Sequence, residues 1–261
     1  MILYFAGESF DAITREEGAD TLKSYAYEAA STKLLKEKRP TRFFLDSGAF
    51  TAFSQGKSVD IDAYASYIKK FEANVTVAAN LDVIGSWEGT KQNQAYLEGL
   101  GCNVLPVFHH GEPWELLAWY VEKYNYLALG GLVPIAKDRK AMTAFLNKAF
   151  SIIKDKTLIH GFGVNATWAW RAYPFYSVDA TSWLSGPRHR TLATFDGQKL
   201  IQSRKTGGKV SIDRYRAATS HYKELARQNL KAYREAAKFV TELWEARGIT
   251  HPKEQPPIKR V

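Results

Sequence analysis

The sequence predicts an α/β fold, a (β/α)8 TIM-like barrel with an inserted antiparallel hairpin and a basic C-terminal helical segment. Three observations predict it. Short apolar runs alternate with longer amphipathic ones, the order that builds a parallel sheet with right-handed crossovers. Several apolar runs are continuous rather than alternating, as strands covered on both faces are. Residues suited to a functional site recur where these runs end, at Asp46, Asp82, His109, Gly130, His160 and Asp179. In an open doubly wound sheet only the strands at a switch point feed a site, whereas in a barrel all strand ends converge on one mouth.

The elements follow in order. Residues 2–6 (ILYFA) form the first strand, and 21–38 read as a helix ending in a Lys-rich turn before Pro40. After strand 42–46, residues 60–72 place Ile61, Tyr64, Ile68 and Phe71 on one helical face, with Asp60 as cap. Strand 75–82, helix 88–100 and strand 104–109 come next. Helix 112–123 opens on Glu112-Pro113, an acidic first turn with Pro near its start. Strand 126–130, helix 138–154, strand 158–162, a short helix holding Trp168 and Trp170, and strand 175–179 complete the alternation. Residues 191–203 break it: two β-prone runs flank Asp196-Gly197, a tight hairpin signal. Residues 211–247 read as one helix, with Leu225, Leu230, Tyr233, Phe239, Val240, Leu243 and Trp244 as apolar positions and Gly248 closing it. The tail, 250–261, carries three prolines and is expected to fray.

The chain of 261 residues, 45% hydrophobic, has enough apolar content for a sizeable core, so wholesale disorder is excluded. A single domain is expected, with residues 1–187 as the barrel body and 188–261 as a hairpin and helix packed on it. No run approaches the roughly 18 apolar residues of a membrane helix, and the start lacks the basic flank of a secretory signal. Cys102, the single cysteine, forms no internal disulfide and builds no multi-Cys zinc site, which fits a reducing, cytoplasmic setting. Net charge is +9, unevenly spread: residues 1–187 hold 19 Lys+Arg against 20 Asp+Glu, and residues 188–261 hold 17 against 7. A basic segment on a neutral body fits a phosphate backbone as partner, with Arg188, Arg190, Arg204 and Lys205 as the grip. A solvated basic helix gives the same count.

The chemistry-bearing residues sit in short motifs. Asp46 opens Asp46-Ser47-Gly48-Ala49-Phe50, where Ser47 and Gly48 allow a ligand close to the backbone. Asp179 ends another apolar strand. Either carboxylate could instead cap the following helix. Facing each other across a mouth, the two suit displacement at an anomeric carbon, one attacking while the other protonates the leaving group. Asp82, in Asn80-Leu81-Asp82, is suited to an amide-like ligand edge, and Gly130-Gly131-Leu132 to a ligand carbonyl through backbone N–H groups. His109 and His110 are adjacent, point in different directions and lack a third ligand at useful spacing, so no metal is expected.

The order of these motifs between about residues 40 and 205 resembles the tRNA-guanine transglycosylase superfamily. It is more similar to the short branch of 7-deazaguanine DNA transglycosylases found in phages and bacteria. The resemblance implies Asp46 as general acid/base, Phe50 stacking on the bound base, and Asp82 reading the guanine edge. It implies that Gly130, Gly131 and Leu132 offer backbone amides, that His160 before Gly161 covers the other face of the base, and that Asp179 is the nucleophile. The implied reaction replaces guanine in DNA with a 7-deazaguanine, without a cofactor; a tRNA substrate or a non-catalytic nucleic-acid-binding subunit are the alternatives. The chain departs from the family pattern at Thr51, where a Gln is usual, and at Thr181-Ser182-Trp183, where Pro-Thr-Arg is usual. It also lacks the cysteine cluster of the tRNA-gripping zinc subdomain, which points towards DNA.

Overall fold

The computed structural model describes residues 1–37, 41–185, 189, 191–204 and 212–258, and for 203, 204 and 212–221 the backbone alone. The chain alternates β1 (Ile2–Ala6), α1 (Asp11–Glu16), β2 (Thr21–Ser24), α2 (Glu28–Lys36), β3 (Phe43–Asp46), α3 (Ala49–Ser54), α4 (Ile61–Lys70), β4 (Val77–Ala79) and α5 (Trp87–Gly99). It continues through β5 (Val104–Leu105), β6 (Val107–His109), α6 (Trp114–Lys123), β7 (Tyr126–Gly130), α7 (Arg139–Ile153), β8 (Leu158–Gly161), α8 (Thr167–Ala172) and β9 (Ser177–Ala180). Hairpin β10 (Thr191–Phe195) and β11 (Leu200–Arg204) and then α9 (Ile212–Ala246) follow.

The first nine strands form one nearly closed, barrel-like parallel sheet in the order β5-β4-β3-β2-β1-β9-β8-β7-β6. Its two ends, β5 and β6, are separated in the chain by Pro106 alone. Proline has no N–H to give a ladder, so the 104–109 run splits there, while the Pro106 carbonyl accepts from Ala128 N at 2.8 Å. The count is therefore nine strands where the sequence suggested an eightfold repeat.

Side-chain alternation sorts residues between two cores. Tyr4, Ala6, Leu22, Phe44, Val77, Ala79, Val107, Tyr126 and Ala128 fill the barrel interior. Leu3, Phe5, Leu127, Leu129 and Val178 face the helices in one outer cluster, and Leu45 and Ala78 in another. The same parity turns Ser24, Asp46, His109 and Gly130 inward at the C-terminal ends of their strands, each two residues after an interior apolar one. Asp60, Ser86 and Asp138 cap α4, α5 and α7 with their side chains, which fixes where those helices begin.

Three segments differ from the sequence reading. Residues 21–24, expected to be helical, are strand β2; a turn of 3-10 helix at 25–27 separates it from α2. Lys23 interrupted the apolar pattern there, yet its side chain is 1% exposed, with Nζ on Asp11 Oδ1 at 2.6 Å and on the Gly7 carbonyl. Second, α1 and α3 are short helices that periodicity did not reveal, too brief for two apolar repeats. Third, residues 250–258 of the tail, the part described, are held in place. Lys253 O accepts from Arg42, Glu254 O from Tyr176, and Pro257 O from Asn125, so residues 253–257 cross the end of the barrel opposite the mouth. Ile258 packs against the interior cluster at that end.

The hairpin and α9 share the larger outer core with the barrel, through Ala193, Ala226, Leu230, Tyr233, Ala236 and Val240. Buried Asn229 pins them together: its Oδ1 accepts from Ala193 N at 2.7 Å, and its Nδ2 donates to Trp183 O and Thr191 O. Asp196 Oδ1 accepts from Gln198 N and Lys199 N and shapes the turn expected at Asp196-Gly197. Part of the C-terminal positive charge is consumed in packing. Arg227 pairs with Glu16, Glu17 and Glu224, and Arg234 donates to the carbonyls of Glu17 and Gly18. No described helix is long and apolar enough to cross a membrane.

Candidate active site

Five strands deliver polar side chains to the mouth. Asp46 ends β3 opposite Ser24 of β2 in the ladder, and Asp179 lies on β9 opposite Tyr4 of β1. Asp46 Oδ2 accepts from Gly48 N at 3.1 Å, closing a tight turn. Gly48 has φ +75°, and a Cβ there would meet Ser24 Oγ at 2.6 Å and Ala26 N at 2.7 Å, so the turn admits only glycine. Burial drives the Asp46 carboxyl up to about 7, the negative charges of Asp82 and Asp179 add to this, and the Gly48 and Ser24 hydrogen bonds oppose it. A carboxyl so placed changes protonation near neutrality, which is what a general acid/base requires.

Asp179 is 7% exposed and is not a cap. Its Oδ1 accepts at 2.7 Å from Gly163 N, in the loop after the neighbouring β8. The anchor comes from sixteen residues away and across the sheet, so it orients the carboxylate rather than starting a helix. His160 Nε2 lies 3.6 Å from the same oxygen.

Asp82 follows β4 and belongs to a second charged group. His109 at the end of β6 sets Nε2 3.1 Å from Asp82 Oδ2 and Nδ1 3.0 Å from Glu112 Oε1, and Glu112 Oε2 accepts from His109 N at 2.8 Å. With a carboxylate on each ring nitrogen, both nitrogens carry hydrogen and the ring is an imidazolium. Burial works against that charge, but Asp82 and Glu112 outweigh it and push the His109 pKa up to about 10. Asp82 Oδ1 is buried without a hydrogen-bond partner among the described residues, so one acceptor of this carboxylate is left unsatisfied. His110 turns away and meets the Phe145 ring at 5.4 Å, so the two histidines diverge.

The remaining residues fall into place around these. Gly130 and Gly131 make room for His109: a Cβ on Gly130 would lie 3.0 Å from Val107 Cγ1 and 3.1 Å from His109 Cδ2, and one on Gly131 3.0 Å from His109 Cβ. Leu132 is buried and Gly131 exposed. Ser47 is buried beneath the Asp46 turn, and Gly161 packs under Phe175 and Val164. Phe50, in the first turn of α3, is 62% exposed at the rim. His160 is fully buried beneath Asp179 among Tyr4, Phe44 and Phe162, so it supports the site from below and presents no open face to a ligand. Arg188, Arg190 and Lys205 lie outside the described residues, and Arg204 ends β11 with only its backbone described.

Sequence reasoning passed over Glu8, Lys23, Glu112, Ser177 and Tyr126. Glu8 sits just past β1, with its carboxyl pushed up by burial and drawn back by Lys23. Glu112 stood in view as an acidic first-turn residue, and only the fold turns it onto His109. No protein-family model matches this chain, and no curated protein is recognisably similar to it in sequence.

Proposed function

We propose that this protein is a pentosyltransferase that exchanges guanine in nucleic acid, DNA in preference to tRNA, for a 7-deazaguanine base. The observation that carries the reading is a pair of unlike carboxylates at one mouth. Asp46 is tuned to about 7 by burial and by neighbouring negative charge, while Asp179 is held by the Gly163 amide. A double displacement at an anomeric carbon needs one carboxyl that exchanges a proton and one oriented carboxylate that attacks.

In this reading the target nucleotide leaves the stack, because its glycosidic bond is out of reach within a duplex. The free Oδ1 of Asp82 accepts from the N1–H and exocyclic amine of the purine, the backbone of Gly130, Gly131 and Leu132 faces its carbonyl, and Phe50 stacks at the rim. Asp179 Oδ2 bonds to C1′ as the C1′–N9 bond breaks, and the electron pair leaves with the purine. Asp46 delivers its proton to the departing base, which leaves as neutral guanine. A 7-deazaguanine then enters, gives its N9 proton to Asp46, and displaces Asp179 from C1′. Two inversions retain the anomeric configuration. The route uses no cofactor. We also read β5 and β6 as one strand of an eightfold barrel, broken in its hydrogen bonding at Pro106. DNA is preferred because Cys102 stands alone, and the basic 188–261 segment supplies an alternative to a zinc-dependent tRNA grip.

The test is incubation with labelled guanine or 7-deazaguanine and either DNA or tRNA, followed by nucleoside mass spectrometry. Incorporation and a trappable protein–sugar adduct are expected, and both vanish in Asp179→Ala. Undiminished exchange in that variant would refute the reading, and binding without base release would leave a non-catalytic nucleic-acid-binding subunit.

A further inference from the structure

Beneath Asp179 runs a buried polar chain that the exchange chemistry does not itself use. Tyr126 Oη lies 2.6 Å from Ser177 Oγ, and Ser177 Oγ lies 2.7 Å from His160 Nδ1. Tyr126, Ser177 and His160 have no exposed surface, and three strands, β7, β9 and β8, bring them together. His160 Nε2 is buried, without a hydrogen-bond partner among the described residues, and points to Asp179 Oδ1 at 3.6 Å. That is attraction at a length beyond a formed hydrogen bond.

The proton positions follow from what each atom can do. A phenol hydroxyl donates better than it accepts, so Tyr126 gives its hydrogen to Ser177. Ser177 then turns its own hydrogen to His160 Nδ1, leaving Nε2 to carry the ring hydrogen. The opposite arrangement would aim the Nε2 lone pair at a carboxylate oxygen. The aromatic surroundings, with Phe44 and Phe162 ring centres 4.6 and 4.5 Å away, disfavour a charged ring.

We propose that Tyr126 and Ser177 are positioning residues that lock His160 as the neutral Nε2–H tautomer, so that His160 and the Gly163 amide together hold Asp179 Oδ1 and leave Oδ2 to attack. The contribution to attack rests on Asp179 being the nucleophile; the tautomer does not. As the covalent bond forms at Oδ2, charge leaves the carboxylate, and the 2.7 Å hydrogen bond from Gly163 N limits how far Asp179 can rotate, while the His160 ring faces the same oxygen at 3.6 Å. A tautomer-locked histidine beside a carboxylate is a recurrent way of fixing orientation without adding charge.

The first measurement is nitrogen NMR of the full chain, with the His160 signal assigned by its loss in His160→Gln. We expect an unprotonated Nδ1 and a protonated Nε2, and in Ser177→Ala a mixture of tautomers. A protonated Nδ1 in the wild type, or an unchanged spectrum in Ser177→Ala, would overturn the proposal. The second is the single-turnover rate of adduct formation. Loss of the N–H dipole that faces the carboxylate predicts a fall of about 10-fold in His160→Leu, less in Ser177→Ala and Tyr126→Phe, with base affinity unchanged. His160→Gln keeps a donor near Nε2 and is expected to recover part of the loss. Equal rates in all variants would refute the positioning role. A wild type that forms no adduct, with the tautomer as expected, would instead overturn the exchange reaction and leave the lock intact.

Discussion

Replacing Asp46 by Asn should make the protein more stable at high pH and leave it nearly unchanged at low pH. An ordinary aspartate titrates near 3.8, and burial beside Asp82 and Asp179 raises Asp46 to about 7. Below about pH 4 the group is protonated in folded and unfolded chains alike, and it costs nothing. Between those values the folded protein keeps a proton that the unfolded chain has released, so stability falls as pH rises; above about 7 the whole cost is present. A gap of about three pH units at about 1.4 kcal/mol each gives an upper bound of roughly 4 kcal/mol. Solvent reaching the partly exposed carboxyl screens some of it, so about 2–4 kcal/mol is expected. Asparagine is close to the permanently neutral form, can still accept from Gly48 N, and leaves every other titrating group in place. The assay is urea unfolding of wild type and Asp46→Asn at about pH 5 and about pH 8.5, comparing the two pH slopes. Parallel slopes would refute the reasoning, because they would mean that Asp46 titrates normally. A gain in stability joined to loss of exchange would show a group kept for chemistry at the expense of the fold.

His109→Gln removes a cation between two carboxylates and should cost about 3 kcal/mol at neutral pH by urea unfolding. Because the His109 pKa is raised from 6.5 to about 10, wild-type stability is full below about 6.5 and declines towards 10, and the variant should lack that decline. Gly48→Ala and Gly56→Ala form a matched pair, since both positions have positive φ, +75° and +66°, but only Gly48 is crowded. Gly56→Ala should cost about 1 kcal/mol and Gly48→Ala more than about 3; equal melting temperatures would refute the crowding. Deleting residues 250–261 uncovers Tyr176 and the closed end of the barrel and should lower stability by about 2–4 kcal/mol in thermal unfolding. An unchanged melting temperature would show that the tail only rests there.

Much of the fold was legible because local pattern and burial agree. Residues 2–6 and 126–130 are strands as read, since an uninterrupted apolar run covered on both faces has no other use in an α/β chain. The Asp60 cap and the Asp196-Gly197 turn were legible because each is a hydrogen bond between near neighbours. Strand 21–24 was not, because Lys23 is buried only by courtesy of Asp11 and the Gly7 carbonyl, contacts that no local pattern records. The tail misled for the converse reason. Prolines deny it a helix, but its carbonyls bind Arg42, Tyr176 and Asn125, which lie far away in sequence.

For the site, the sequence alone determined which residues lie at or near the C-terminal ends of the strands, because the length of each apolar run sets that by itself. Asp46, His109 and Gly130 end their strands as read, His160 and Asp179 stand one residue before the end of theirs, and Asp82 lies three residues past β4. Their environments were decided only by tertiary structure. Whether a carboxylate caps a helix or is anchored at the mouth depends on a Gly163 amide across the sheet, and whether a histidine lines the mouth or stands beneath it depends on burial. The charge on His109 depends on Asp82 from across the sheet and Glu112 from the following turn, and the proton held by Asp46 near neutrality on burial first and then on the charges of Asp82 and Asp179. Identity and order are carried by covalent bonds along the chain; protonation and orientation come from fields and hydrogen bonds between strands, which exist only once the sheet has curled.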